Sequence, residues 1–275
     1  MEMRSRFTPA QKAAVRAVLD ATGGPDQAFR SIKSHLAIAD VRQALKLQPI
    51  PYDQFLGSDS WLAGGGVLRW LCSVGTVADT TRGDFDFFFP SLHALNTTAR
   101  AMLDQGFHLR GYRAHSRNIR EYLYKTINED KSAEIWDATG NLVPLTPAVV
   151  VRLRLVYLEF RSPQGDTLQL VASCHPTPLE TIMRFDISIC QLVLDNRDLS
   201  FGPWTWNDVL QNRFRAGAVS WPESTFRRMV KYARRGFMPY AKTALMVSTS
   251  TLAQLVTHAP RYLTRAGWES PRPRK

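Results

Sequence analysis

Acidic residues are in short supply in this chain: 24 aspartates and glutamates stand against 35 lysines and arginines, a formal net charge of +11 at pH 7. A surplus of that size favours polyanionic partners such as nucleotides, RNA or DNA, and says nothing about fold. Cysteine is scarcer still. Cys72, Cys174 and Cys190 are the only three and none is spaced as CxxC, which excludes a disulfide framework or zinc site and suits a reducing compartment. Long apolar runs are missing too, since stretches such as Pro147 to Val151 fall far short of a bilayer span. Met1 to Arg16 is polar, without the apolar centre of a secretory signal. A cytoplasmic protein with no membrane segment is expected. No glycine loop runs into Lys-Ser/Thr, no GxGxxG occurs, and His93, His108, His115 and His175 have no HExxH context.

What is present is ordinary globular material. The chain has 275 residues, 44% of them hydrophobic, enough for one large domain or two modest ones with a real core. Thr8-Pro9-Ala10-Gln11 reads as a capped helix start, and Gly23-Gly24-Pro25 as its stop. A second helix is expected from Pro25 to Leu47, closed by Pro49-Ile50-Pro51. From Trp61 the texture changes: Trp61 to Ala63 predicts a short buried strand, then a glycine turn and a helical segment from Val67 to Cys72. Strands are expected at Asp84 to Phe89, Phe107 to Ala114 and Phe185 to Val193. Leu155 to Phe160 and Thr167 to Ala172 read as a hairpin around Ser162-Pro163-Gln164-Gly165, and Leu92 to Leu103 and Pro178 to Met183 as helices. The chain therefore divides into a helical region over 1–50, a core over 51–200, a mostly helical region over 201–267 and a basic, disordered tail over 268–275.

Gly83-Asp84-Phe85-Asp86-Phe87-Phe88-Phe89 is the most informative segment. On a strand, Asp84 and Asp86 share one face while Phe85, Phe87 and Phe89 enter a core. Carboxylates roughly 7 Å apart along a strand can serve the same pair of metal ions. Acids beside so apolar a run are costly unless hydrated, paired or metal-bound. Upstream, Ala63-Gly64-Gly65-Gly66-Val67-Leu68-Arg69 places a strand, a glycine turn and a helix start in order, an arrangement whose backbone amides approach phosphate oxygens closely. Asp186 is a third acid, isolated in Arg184-Phe185-Asp186-Ile187-Ser188-Ile189, where polar and apolar residues alternate.

Together these residues resemble the DNA polymerase beta-like nucleotidyltransferase superfamily, in the manner of a phage-type, virus-type or toxin-like member. Its members carry a Gly-Gly or Gly-Ser turn, an acid-hydrophobic-acid strand and a later third acid. The resemblance covers Trp61 to Val193. Two departures are visible: the stretch from Cys72 to Arg82 lengthens the gap between turn and acids, and Gly66 stands where a serine often meets the triphosphate. The resemblance implies an α+β fold, a nucleotidyltransferase-type mixed sheet flanked by helices. It implies Asp84, Asp86 and Asp186 as catalytic metal ligands for Mg2+ or Mn2+, with a nucleoside triphosphate as donor. Gly64, Gly65, Gly66 and Arg69 are then expected at the triphosphate.

A cationic helix follows Ser220-Trp221-Pro222-Glu223. At about 100° per residue, Arg227, Arg228, Lys231, Arg234 and Arg235 share one stripe, opposite Phe226, Met229, Val230 and Ala233. Arg228 and Lys231 are the candidates for phosphate contact. Trp204, Trp206 and Trp221 offer base-stacking faces, with core packing as the competing role. The activity expected is transfer of a nucleotide to a hydroxyl acceptor with loss of pyrophosphate, RNA being the first acceptor, the 3′ end of a tRNA included. Nucleotidylation of protein or a small molecule, and nucleic-acid binding without turnover, are the alternatives.

Overall fold

Nine strands hydrogen-bond into one mixed sheet in a computed structural model that describes residues 9–21, 35–47, 49–72, 84–114, 125–126, 144–153, 155–217 and 222–250. In chain order the elements are α1 (Pro9–Ala21), β1 (His35–Ala37), α2 (Ile38–Leu45), β2 (Trp61–Ala63), α3 (Gly65–Cys72), β3 (Phe85–Phe88), α4 (Leu92–Asp104), β4 (His108–Ala114) and β5 (Lys125–Thr126). There follow α5 (Pro147–Leu153), β6 (Leu155–Arg161), β7 (Thr167–Val171), α6 (Pro178–Met183), β8 (Leu192–Leu194), β9 (Asp198–Phe201), α7 (Thr205–Gln211), β10 (Arg213–Phe214), α8 (Pro222–Arg234) and β11 (Met238–Pro239). Residues 241–250 are helical as well. The sheet order is β1-β9-β8-β2-β3-β7-β6-β4-β5, antiparallel except where β3 runs parallel to β7. The α+β class is as expected.

Alternation decides which way the central strands face. Phe85 and Phe87 on β3, Leu168 and Leu170 on β7, and Leu158 and Phe160 on β6 all enter one apolar core, leaving Asp86, Gln169 and Glu159 on the other face. Each such large side chain contributes about 1.5–3 kcal/mol by leaving water. Val15 and Leu19 of α1 and Val41 and Leu45 of α2 join that same core, so the N-terminal stretch packs on the sheet rather than apart from it. The expected helix from Pro25 to Leu47 is only partly seen: Ile38–Leu45 is helical, His35–Ala37 is an edge strand on β9, and residues 25–34 lie outside the described residues.

Local chemistry sets the helix ends. Ser91 caps α4 by accepting from the Ala94 amide at 3.2 Å, and Gly106 follows its end at φ +80°. Thr177 caps α6 through the Glu180 amide at 3.2 Å, with Pro178 in the first turn. The hairpin of β6 and β7 forms where expected, turning at Gly165.

Phe185 to Val193 is not the continuous strand its alternation suggested. Ile187 makes a single bridge to Ala216, Ser188–Cys190 is a 3-10 turn, and only Leu192–Leu194 pairs as strand. The reason is that the polar positions are buried with the apolar ones. Ser188 is 4% exposed because its hydroxyl donates to Asp208 at 2.5 Å, and Thr205 Oγ1 donates to the carbonyls of Ser188 and Gln191 at 2.9 and 3.1 Å. Side-chain bonds thus satisfy a turn that a ladder would otherwise have supplied.

Candidate active site

The glycine turn after β2 calls for glycine at two of its three positions, for different reasons. Gly64 adopts φ +79°, the left-handed region, and a Cβ there would meet the Phe185 ring at 3.2 Å. A Cβ on Gly65 would stand 2.8 Å from the Tyr232 hydroxyl, whereas one on Gly66 would make ordinary contact with the Asp84 carbonyl at 3.5 Å. Gly64 donates its amide to Leu192 O at 2.8 Å and accepts from Leu68 N at 3.1 Å, so the turn is fixed between β8 and the first turn of α3. The bare backbone lets β3 and α8 close on the start of α3.

They close around a cavity of about 430 Å³. Gly64, Gly65, Gly66 and Arg69 come from the turn and α3, Asp84 and Asp86 from the start of β3, Asp186 from the bend after α6, and Arg228, Lys231 and Tyr232 from α8. Every residue singled out in the sequence for catalysis or triphosphate contact therefore lines one space. Arg69 joins two of the walls. It is 9% exposed, its guanidinium donates to the Asp84 carbonyl at 2.6 Å and lies 5.4 Å from the Phe85 ring centroid.

The acids are not equivalent. Among the described residues neither Asp84 nor Asp86 has a hydrogen-bonded or ion-paired side-chain partner. Burial first, and the neighbouring Asp84 second, push the Asp86 carboxyl up to about 6, against the opposing pull of Arg69 and Lys231. Asp186 instead accepts from Arg228 at 2.5 Å and from the Thr225 hydroxyl. Asp186 lines the same cavity as Asp84 and Asp86, and among the described residues no three His, Cys, Asp or Glu side chains are grouped to hold one ion.

The cations share the space with the acids. Burial lowers Lys231 and Arg69, repulsion from Arg235 adds to both and that from Arg69 to Lys231, while Asp84 and Asp86 counter it. Nε of Arg69 and Nε of Arg228 are buried with no hydrogen-bond partner among the described residues. An unsatisfied buried donor costs about 1–3 kcal/mol, and an anionic oxygen would relieve it.

The helix carrying those cations is turned relative to the expected stripe. Thr225, Met229 and Tyr232 are its buried side, whereas Phe226 and Val230 are 38% and 37% exposed. Arg227 pairs with Glu223 on the surface. Trp206 is 3% exposed and packs in the core, Trp204 lies under Arg215 with the guanidinium 4.0 Å from its ring centroid, and Trp221 lies outside the described residues. Of the stretch from Cys72 to Arg82, read as lengthening the gap, all but Cys72 also lies outside them, as do His115 and the tail 268–275.

Four participants escaped the sequence reading. Tyr232 and Cys190 both line the cavity, and burial pushes the Cys190 thiol up to about 12. Gln169 and Glu159 follow Asp86 across the sheet, and burial and Asp84 both raise the Glu159 carboxyl. A polar residue at alternate positions of both hairpin strands was the signal available for these last two.

No family model matches the sequence, and no curated protein matches it. Among the solved structures it resembles are CCA-adding enzymes and a tRNA-processing enzyme. One is a CCA-adding enzyme with CTP, at 12% identity and a TM-score of 0.47, covering 85% of this chain and 49% of that one. Another is the Thermotoga maritima CCA-adding enzyme complexed with tRNA, at 12% identity and a TM-score of 0.46, covering 79% and 46%. A tRNA-processing enzyme with CTP gives 15% identity and a TM-score of 0.42, covering 80% and 48%. The chain spans about half the length of the solved structures it matches. No helix among the described residues is long and apolar enough to cross a membrane.

Proposed function

We propose that the chain is a metal-dependent nucleotidyltransferase that moves a nucleoside monophosphate from a triphosphate donor to a hydroxyl acceptor, RNA first, and releases pyrophosphate. One observation carries this reading: Asp84 and Asp86, unpartnered among the described residues, share with Arg69, Arg228 and Lys231 a cavity that opens on the start of α3. Acids alone would suit a cation and cations alone an anion. Both together suit a metal–polyphosphate complex.

Asp84 and Asp86 fit a divalent cation, because the charge of Mg2+ or Mn2+ would remove the repulsion that raises Asp86. When bound, such an ion neutralises charge on the transferred phosphate and favours ionisation of the attacking hydroxyl. The protein's own groups do the rest. Amides of Gly65 and Gly66, at the positive end of α3, receive phosphate oxygens, and the orphaned Nε groups of Arg69 and Arg228 donate to them. Lys231 supplies a point charge beside them. Asp186 acts here as the counter-charge that aims Arg228.

The test is incubation with each of the four labelled triphosphates in turn, Mg2+ and total RNA. Label should enter RNA with release of pyrophosphate, and Asp84→Ala should abolish transfer. Label entering the chain itself would move the acceptor to protein. Tight RNA binding unchanged by Asp84→Ala, with no transfer of any nucleotide, would refute the enzyme.

A further inference from the structure

The face of the sheet that bears Asp86 continues past the cavity. Register places Asp86 beside Gln169, Gln169 beside Glu159, and Glu159 beside Gly111. Ladder partners share a face, so this is a single polar row running from β3 across β7 and β6 to β4. Three strand spacings cover roughly 14 Å, the reach of a few nucleotides. The far end of the row is cationic. Arg161 and His108 are cross-strand partners and both are exposed. Pairing of β4 with β6 steps from Leu109 to Gly111, which leaves Arg110 as an extra, bulged residue. Bulges at a sheet rim re-aim side chains. Leu109 packs on the core opposite Phe160, so Arg110 takes the polar face, where its charge reaches Glu159. Glu159 in turn senses Asp84, so the basic rim and the acid pair belong to one electrostatic surface. Among the described residues neither Arg110 nor Arg161 has an ion-pair partner.

We propose that this face seats the acceptor: the end of a single-stranded RNA lies across β7, β6 and β4, its phosphates held by Arg110 and Arg161 and its terminal hydroxyl directed to Asp84 and Asp86. The proposal rests on the transferase reading above and adds the acceptor's class and footprint. Arginines at fixed strand positions suit phosphate groups. Between them Glu159, half-buried beside the buried Gln169, offers a carboxylate to ribose hydroxyls, the feature that separates RNA from DNA. A protein segment would require an apolar anchor in a pocket, and the row holds polar and charged groups instead.

Binding can be read without catalysis, by fluorescence anisotropy of a short single-stranded RNA and its DNA equivalent, in EDTA and without triphosphate. The Arg110→Ala, Arg161→Ala double variant should weaken RNA binding roughly tenfold at moderate salt and flatten the log–log salt dependence by about 1.4, at about 0.7 per phosphate contact. Glu159→Gln should narrow the preference for RNA over DNA. The control removes equal charge elsewhere, at Arg16 and Arg100, exposed on α1 and α4. Matching urea midpoints certify that all variants are folded. If the double variant binds like the control, the seat is refuted, and persisting label transfer would leave the transferase reading intact. If binding depends on both arginines but no RNA accepts label, the seat stands as an RNA surface and the transferase reading falls.

Discussion

Replacing Asp86 by asparagine should stabilise the metal-free protein at neutral pH while destroying its activity. The folded environment raises the Asp86 carboxyl from 3.8 to about 6, chiefly through burial and then through Asp84. A raised carboxyl means that the folded state binds the proton more tightly than the unfolded chain. Below the unfolded value both states are protonated and the wild type carries no penalty. As pH rises from about 4 to about 6 the unfolded chain ionises first, and stability is lost across that window. About two pKa units at 1.36 kcal/mol each set an upper value near 3 kcal/mol, and partial solvation of the site makes about 2 kcal/mol the working figure. Asp86→Asn removes the ionisation, so urea unfolding in EDTA should show the variant about 2 kcal/mol more stable than wild type at pH 8 and nearly equal to it at pH 4. Mn2+ should stabilise the wild type at pH 8 and leave the variant unmoved. A variant no more stable than wild type at pH 8, or an advantage that persists undiminished at pH 4, would refute the account of the acid pair.

Two further outcomes test the walls of the cavity. Gly65→Ala places a Cβ 2.8 Å from the Tyr232 hydroxyl, so it should lower the thermal midpoint and transfer activity together, and Tyr232→Phe in the same chain should recover most of the midpoint by removing the clashing oxygen. Arg228→Met leaves the Asp186 carboxylate, 14% exposed, with the Thr225 hydroxyl alone, at a cost of about 1 kcal/mol in urea unfolding. It should also raise KM for the triphosphate roughly tenfold, as loss of a phosphate contact; adding Asp186→Asn should restore the stability and not the KM, whereas recovery of both would show that Arg228 acts only as the partner of Asp186.

The sequence made the sheet legible where burial and periodicity agree. Phe85 and Phe87 alternate with Asp86, and the Gly64 turn, the β6–β7 hairpin and α6 carry their own stop and cap signals. It misled where buried hydroxyls and carboxylates find partners far along the chain. Ser188 looked like the outward position of a strand, yet its hydroxyl donates a hydrogen bond to Asp208 in the interior. Phe226 was expected on the apolar side of α8, but the Thr225 hydroxyl donates to Asp186, Thr225 and Tyr232 are on the buried side, and Phe226 is 38% exposed. Asp186 is the same lesson at the site itself. Its isolation on an apolar background was visible, whereas the arginine 42 positions later that claims it was not.

The site's charges also explain why the net excess of +11 is not spread evenly in its effect. Two arginines act as struts before they act as ligands: Arg69 ties α3 to the carbonyl of Asp84, and Arg228 ties α8 to the bend at Asp186. Each bond uses a terminal nitrogen and leaves a buried Nε with no hydrogen-bond partner among the described residues. Holding those donors dry costs free energy in the empty cavity, as does holding Asp84 beside Asp86. The two costs have opposite sign of charge and share one cavity. On the transferase reading proposed above, a ligand that presents phosphate oxygens to the guanidinium groups and a divalent cation to the carboxylates would relieve both at once, whereas a bare anion or a bare cation would relieve one. The arrangement would then favour the metal–triphosphate pair over either half alone.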